Sequence, residues 1–169
     1  MTASFHTLPV ELVYRILDNI DNLTIITTLT TVDVRGWRIG AQAAQHLADT
    51  IEHNNTITIL DLYSNEIGSQ GTQYLANALK HNNTLITLGL HSNYIGSPGA
   101  QHLANALKDN NTLTTLDLSG NVIGPTGAYY LATALGHNNT LTALNLHRNR
   151  IGDQGAQYLA TALAHNNVT

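Results

Sequence analysis

Residues 112–139 read TLTTLDLSGNVIGPTGAYYLATALGHNN, and the spacing of their apolar residues changes halfway. Leu116 and Leu118 alternate with Thr115, Asp117 and Ser119, the two-residue period of a short strand with one buried face. After Gly124 the spacing turns helical. It is clearest in the equivalent stretch of 56–83, where Thr72, Leu75, Ala76 and Leu79 fall at i, i+3, i+4 and i+7. The stretch thus predicts strand, loop, helix and turn in succession. The same 28-residue unit recurs without a gap at 28–55, 56–83, 84–111 and 140–167, each copy opening with Thr and closing with Asn-Asn. A period of this length specifies a solenoid, in which each unit buries its apolar side only against its neighbours.

The two halves of the unit set the shape. Neighbouring strands lie about 4.8 Å apart, whereas packed helices need roughly 8–10 Å. Joining both in every unit bends the stack into an open arc. The fold class predicted is α/β, a curved solenoid with parallel strands on the concave face and helices on the convex face.

Leu113, Leu116, Leu118, Asn121 and Ile123 follow the spacing L-x-x-L-x-L-x-x-N-x-I. This resembles the leucine-rich repeat, in the 28-residue form of ribonuclease inhibitor and NOD-like receptors, and the resemblance covers residues 28–167. It implies that Asn65, Asn93, Asn121 and Asn149 are structural, their amides bonding loop backbone groups left unpaired after each strand, rather than forming a ligand ladder. Trp37 stands at that position in the first repeat, where an indole would cover the end of the stack.

Local signals complete the unit. Ser69, Ser97 and Asp153 stand where a helix N-cap is expected. The Asn-Asn pairs are residues that tolerate a left-handed helix C-cap. Gly68 and its equivalents suit a tight turn, and Gly71 and its equivalents a close approach of adjacent units. A glycine pair repeated in every unit is no phosphate-binding loop, because it lacks the Lys-Ser/Thr that follows one.

Composition narrows the function. Charged residues are 11% of the chain and the net charge is −4, so no basic stripe awaits a phosphate backbone and nucleic acid is not an expected partner. No apolar run approaches the roughly 18 residues that cross a membrane, and no cleavable leader pattern opens the chain. Cysteine is absent, which suits a reducing compartment; the expected localisation is cytoplasmic. Nine histidines raise the question of metal. His53, His81, His137 and His165 share one position at the helix ends, a row spaced too widely for one tetrahedral ion, so no metal or other cofactor is expected.

The variable positions lie on the strands. In chain order they give Asp33 and Arg35, Asp61 and Tyr63, Gly89 and His91, Asp117 and Ser119, and Asn145 and His147, with Arg148 and Arg150 at the rim. Nothing in the pattern supplies a nucleophile–base pair or an enclosing pocket, so an enzyme is not expected. A protein partner on this face is. Tyr63, His91, His147, Arg148 and Arg150 are its expected anchors, since aromatic and arginine side chains dominate interface energetics.

Residues 5–23, FHTLPVELVYRILDNIDNL, predict an amphipathic helix beginning at Pro9 and covering the first repeat. Its string Leu8-Pro9-x-Glu11-Leu12-x-x-x-Ile16-Leu17 resembles the opening of an F-box, which implies binding to a Skp1-type ubiquitin-ligase adaptor through Leu8, Pro9, Leu12 and Ile16. The first repeat begins at Thr28, so half or more of that three-helix module is missing. At the other end Val168-Thr169 starts a sixth unit with no polar cap, which makes self-association through that end the other alternative.

Overall fold

Apolar alternation lasts only a few residues in each unit, and the strands are correspondingly short. The structure, a computed structural model, describes residues 2–4, 30–164 and 166. In chain order these form β1 (Thr2–Ser4), β2 (Thr31–Asp33), α1 (Gly40–His53), β3 (Ile59–Asp61), α2 (Gly68–Leu79), β4 (Thr87–Gly89), α3 (Gly96–Leu107), β5 (Thr115–Asp117), α4 (Gly124–Leu135), β6 (Ala143–Asn145) and α5 (Gly152–Leu163). The strands pair in sequence order, all parallel. Register advances by one unit per strand, so that Leu60 pairs with Leu88, Leu88 with Leu116 and Leu116 with Leu144. The outcome is the α/β solenoid arc that the repeat predicts.

The core lies between sheet and helices and repeats like the sequence. Leu60, Leu88 and Leu116 from the strands, Ile67, Ile95 and Ile123 from the loops, and Leu75, Leu103 and Leu131 from the helices are all buried. Full burial of one such side chain stabilises by about 1.5–3 kcal/mol. In the last unit Leu144, Leu146 and Ile151 are only half-buried, and Leu163 is exposed where its counterpart Leu135 is buried. Helices pack closely because the first turn carries glycine. A Cβ on Gly71 would stand 2.6 Å from Ile67 Cγ2 and 3.1 Å from the Ala41 Cα of the preceding helix.

Asparagine joins the units. The Asn93 Nδ2 donates to the Leu62 carbonyl of the preceding unit at 2.7 Å, and its Oδ1 accepts from the Asn65 N–H at 2.9 Å. Asn65, Asn121 and Asn149 repeat this arrangement toward Val34, Leu90 and Leu118, and all four are buried. Trp37, which lacks the side-chain amide, donates its backbone N–H to Asn65 Oδ1 at 2.9 Å and packs against the core.

Two local expectations are corrected, and one strand is added. Ser69, Ser97 and Asp153 are the second residues of their helices, and none of the five described helices has a side-chain N-cap. The need for one is met from outside, because the N–H groups of Gly40, Gly68, Gly96 and Gly124 donate to the carbonyls of Asn65, Asn93, Asn121 and Asn149 in the next unit, at 2.8–2.9 Å. Nor do the Asn-Asn pairs turn left-handed; Lys80, Lys108, Gly136 and Ala164 end their helices in the right-handed region. The first Asn of each pair forms a second ladder instead. Asn82, Asn110 and Asn138 donate to the carbonyls of Ile51, Leu79 and Leu107 at the preceding helix end, where carbonyls run short of intrahelical partners, and accept from Leu85, Leu113 and Leu141. Finally, β1 lies against β2 with Ala3 opposite Val32, a strand ahead of the first unit that no repeat signal announces. The helix expected over 5–23 lies outside the described residues.

Three substitutions test this account. Asn93→Ala orphans the Asn65 N–H and takes the amide donor from the Leu62 carbonyl, so thermal unfolding should show a loss of about 3 kcal/mol. The exposed Asn139→Ala should stay within about 0.5 kcal/mol. Gly71→Ala gains about 1 kcal/mol of helix propensity but overpacks against Ile67 and Ala41, which costs about 1–3 kcal/mol; a net lower melting temperature is expected.

Candidate interaction surface on the concave sheet

The core leucines point inward, so the residues between them must face the concave side. Those are the last residue of each strand from β2 to β6, namely Asp33, Asp61, Gly89, Asp117 and Asn145, and the residues two further on, namely Arg35, Tyr63, His91, Ser119 and His147. A local bond orders four of these five pairs. The backbone N–H of Arg35, Tyr63, Ser119 and His147 donates to Oδ1 of Asp33, Asp61, Asp117 and Asn145 at 2.8–3.2 Å. In the third unit Gly89 has no side-chain oxygen to offer, and the His91 N–H lacks that acceptor.

Neighbouring units then pair across the sheet. Arg35 forks onto Asp33 at 2.7 and 2.9 Å and reaches Asp61 Oδ2 at 3.5 Å. The hydrogen bonds that Arg35 donates to Asp33, followed by the charge of that carboxylate, raise the Arg35 pKa above its ordinary value, so the group stays cationic. The Tyr63 and His91 rings lie 4.7 Å apart, tilted by 54°. Asp117 accepts from the Ser119 hydroxyl and from Asn145 Nδ2, at 2.5 and 3.1 Å. Together Arg35, Asp61, Tyr63, Gly89, His91 and Asp117 line an open cavity of about 490 Å³ floored by Leu60 and Leu88.

The structure therefore gathers part of the expected set. Ser119 is buried beneath Asp117 and presents little surface. Asn145 and His147 are exposed one unit beyond the cavity, and Arg148 and Arg150 sit in left-handed loop conformations outside it. Leu8, Pro9, Leu12 and Ile16 lie outside the described residues. In the helix-end row, His81 pairs with Glu52 at 3.0 Å and the His137 ring meets the Thr133 carbonyl at 3.0 Å. Among the described residues, no three His, Asp or Glu side chains gather to hold a metal ion, and no helix is long and apolar enough to cross a membrane.

Sequence reasoning missed two aromatic features. Tyr94 is 71% exposed on the loop rim. On the convex side Tyr129 packs edge-on against Tyr158 at 5.2 Å and Tyr130 at 5.7 Å, beside a shallow cleft of about 330 Å³. Tyr129 stands where the other units have Gln73, Gln101 and Gln157, so departure from the repeat was the signal available.

Comparison with known proteins agrees with this architecture. Residues 53–76, 109–132 and 137–160 match the family model described as Leucine Rich repeat. The actin-binding site 2 domain of leiomodin-1 superposes with a TM-score of 0.73 at 24% identity, over 97% of this chain and 90% of that one. The tropomodulin C-terminal domain of Caenorhabditis elegans gives 0.71 at 15% identity, over 94% and 93%. No curated protein matches the sequence. The fold is that of a leucine-rich-repeat solenoid.

The rim carries a testable strain. Val122, a β-branched residue, is held at φ +55° with its side chain about half exposed, and left-handed backbone costs such a residue about 1–2 kcal/mol. Val122→Asn should raise stability by about 1 kcal/mol, read as a higher melting temperature. A lower one would mean that the valine side chain holds the loop.

Proposed function

We propose that the chain is a non-enzymatic protein-interaction module whose partner binds on the concave strand surface. One observation carries this reading: Tyr63, 41% exposed, stands paired with His91 at the wall of the concave cavity. An aromatic anchor at a concave centre, rimmed by charges already held in place, is what interface hot spots use, because little side-chain freedom remains to be lost on binding. The leucine-rich repeats support a binding role in general. The leiomodin-1 domain carries actin binding in its title; at 24% identity the likeness is one of fold, and actin enters as the first partner to try.

The test compares the chain with Tyr63→Ala/His91→Ala and with Tyr129→Ala/Tyr158→Ala. Actin is assayed directly, by co-sedimentation, and other binders by quantitative affinity capture. A partner lost about tenfold or more in the concave variant and kept in the convex one supports the proposal, provided the melting temperature moves by less than about 4 °C. The reverse pattern would move the site to the helices.

A further inference from the structure

We propose that the gap over Gly89 receives an arginine side chain of the bound protein. This rests on the concave-face reading and names the chemistry at its centre. The strand-end position holds Asp33, Asp61, Asp117 and Asn145 in the other units, so Gly89 alone removes a side chain from the row. The vacated space borders Asp61: a Cβ placed on Gly89 would lie 3.0 Å from Asp61 Oδ1. Strands sit about 4.8 Å apart, which puts Asp61 and Asp117 on either side of the gap with nothing between them but glycine backbone.

Charge decides the occupant. Asp61 and Asp117 line the cavity against one guanidinium, that of Arg35, a net charge of −1 from two carboxylates and one cation, and Asp33 beyond the lining adds a third carboxylate paired to that guanidinium. Arg35 is committed first to Asp33, at 2.7 and 2.9 Å, and reaches Asp61 only at 3.5 Å. The second oxygen of Asp117 meets only a neutral amide, that of Asn145. An anion would meet carboxylates on both sides, and an apolar group would desolvate them without compensation. A cation meets two acceptors and an aromatic wall. Guanidinium suits the place better than ammonium, since it is planar, donates along two edges and stacks on rings such as the Tyr63–His91 pair. The His91 N–H, which lacks the acceptor its counterparts have, is placed to donate to a carbonyl of the same partner segment.

The probe is the peptide acetyl-Gly-Gly-Arg-Gly-Gly-amide, titrated into the isotope-labelled full chain and followed by amide NMR. Its counterpart carries citrulline, which keeps the shape and removes the charge. The arginine peptide should shift the amides of Gly89, His91 and Tyr63 in a saturable way that weakens with salt, and citrulline should bind at least about tenfold more weakly. Gly89→Asn should lose the arginine peptide by a similar factor while staying folded, because Asn145 fills the same position in the last unit and keeps the local bond to His147. Equal shifts from both peptides would overturn the cation site and leave the concave face standing. Shifts confined to the helices, or none up to about 10 mM, would overturn the arginine site, and the concave-face reading would then be decided by the Tyr63/His91 variant.

Discussion

The asparagine amide that spans two units is the interaction on which the rest of this structure depends. A solenoid unit has no long-range contacts of its own, so every backbone group left over by its short strand and helix needs a partner one unit away. Asn93 shows the solution. It donates to the unit before it and accepts from its own position there, while its carbonyl takes the first N–H of that unit's helix. One residue thus fixes a strand end, a loop and a helix start together. The second ladder, through Asn82, Asn110 and Asn138, does the same for the helix ends. With both in place each interior unit is clamped at two edges, and a lost amide affects two units at once.

This division explains what the sequence shows and what it hides. Period, strand placement, helix face and curvature were legible because they rest on apolar spacing, which is local and repeated five times over. The helix ends were misread for a physical reason. Ser69 looks like a cap by local preference. Yet the helix already starts at Gly68, whose N–H donates to the Asn93 carbonyl of the next unit, while the Gly71 N–H that Ser69 would serve bonds the Ile67 carbonyl. No local rule sees a partner in the next unit. Likewise the Asn-Asn pair looks like a left-handed stop, while Asn82 is buried and bonded to Ile51, 31 residues back. Of the concave set, Asp61, Tyr63 and His91 could be placed by counting along the repeat. The burial of Ser119 under Asp117 could not, since it depends on a hydrogen bond between two polar side chains on the same face.

Curvature carries the argument from scaffold to site. On the inner face the units are held at strand spacing, so side chains of adjacent units meet directly: Arg35 with Asp61, Tyr63 with His91, Asp117 with Asn145. Each such pair holds its members in fixed rotamers before any partner arrives. On the outer face the units stand at helix spacing, and aromatic contact between units needs two large rings, as in Tyr129 and Tyr158.

The same rigidity gives a missing side chain its consequence. In a deformable sheet, glycine at position 89 would let the neighbours close in. Here β3 and β5 are both tied to β4 through paired backbone, and all three loops are tied by asparagine. The strands cannot approach, so the space stays open and its two flanking carboxylates keep their separation. A substitution that in an isolated strand would only loosen the chain becomes, in this stack, a cavity with a defined width and a defined sign of charge.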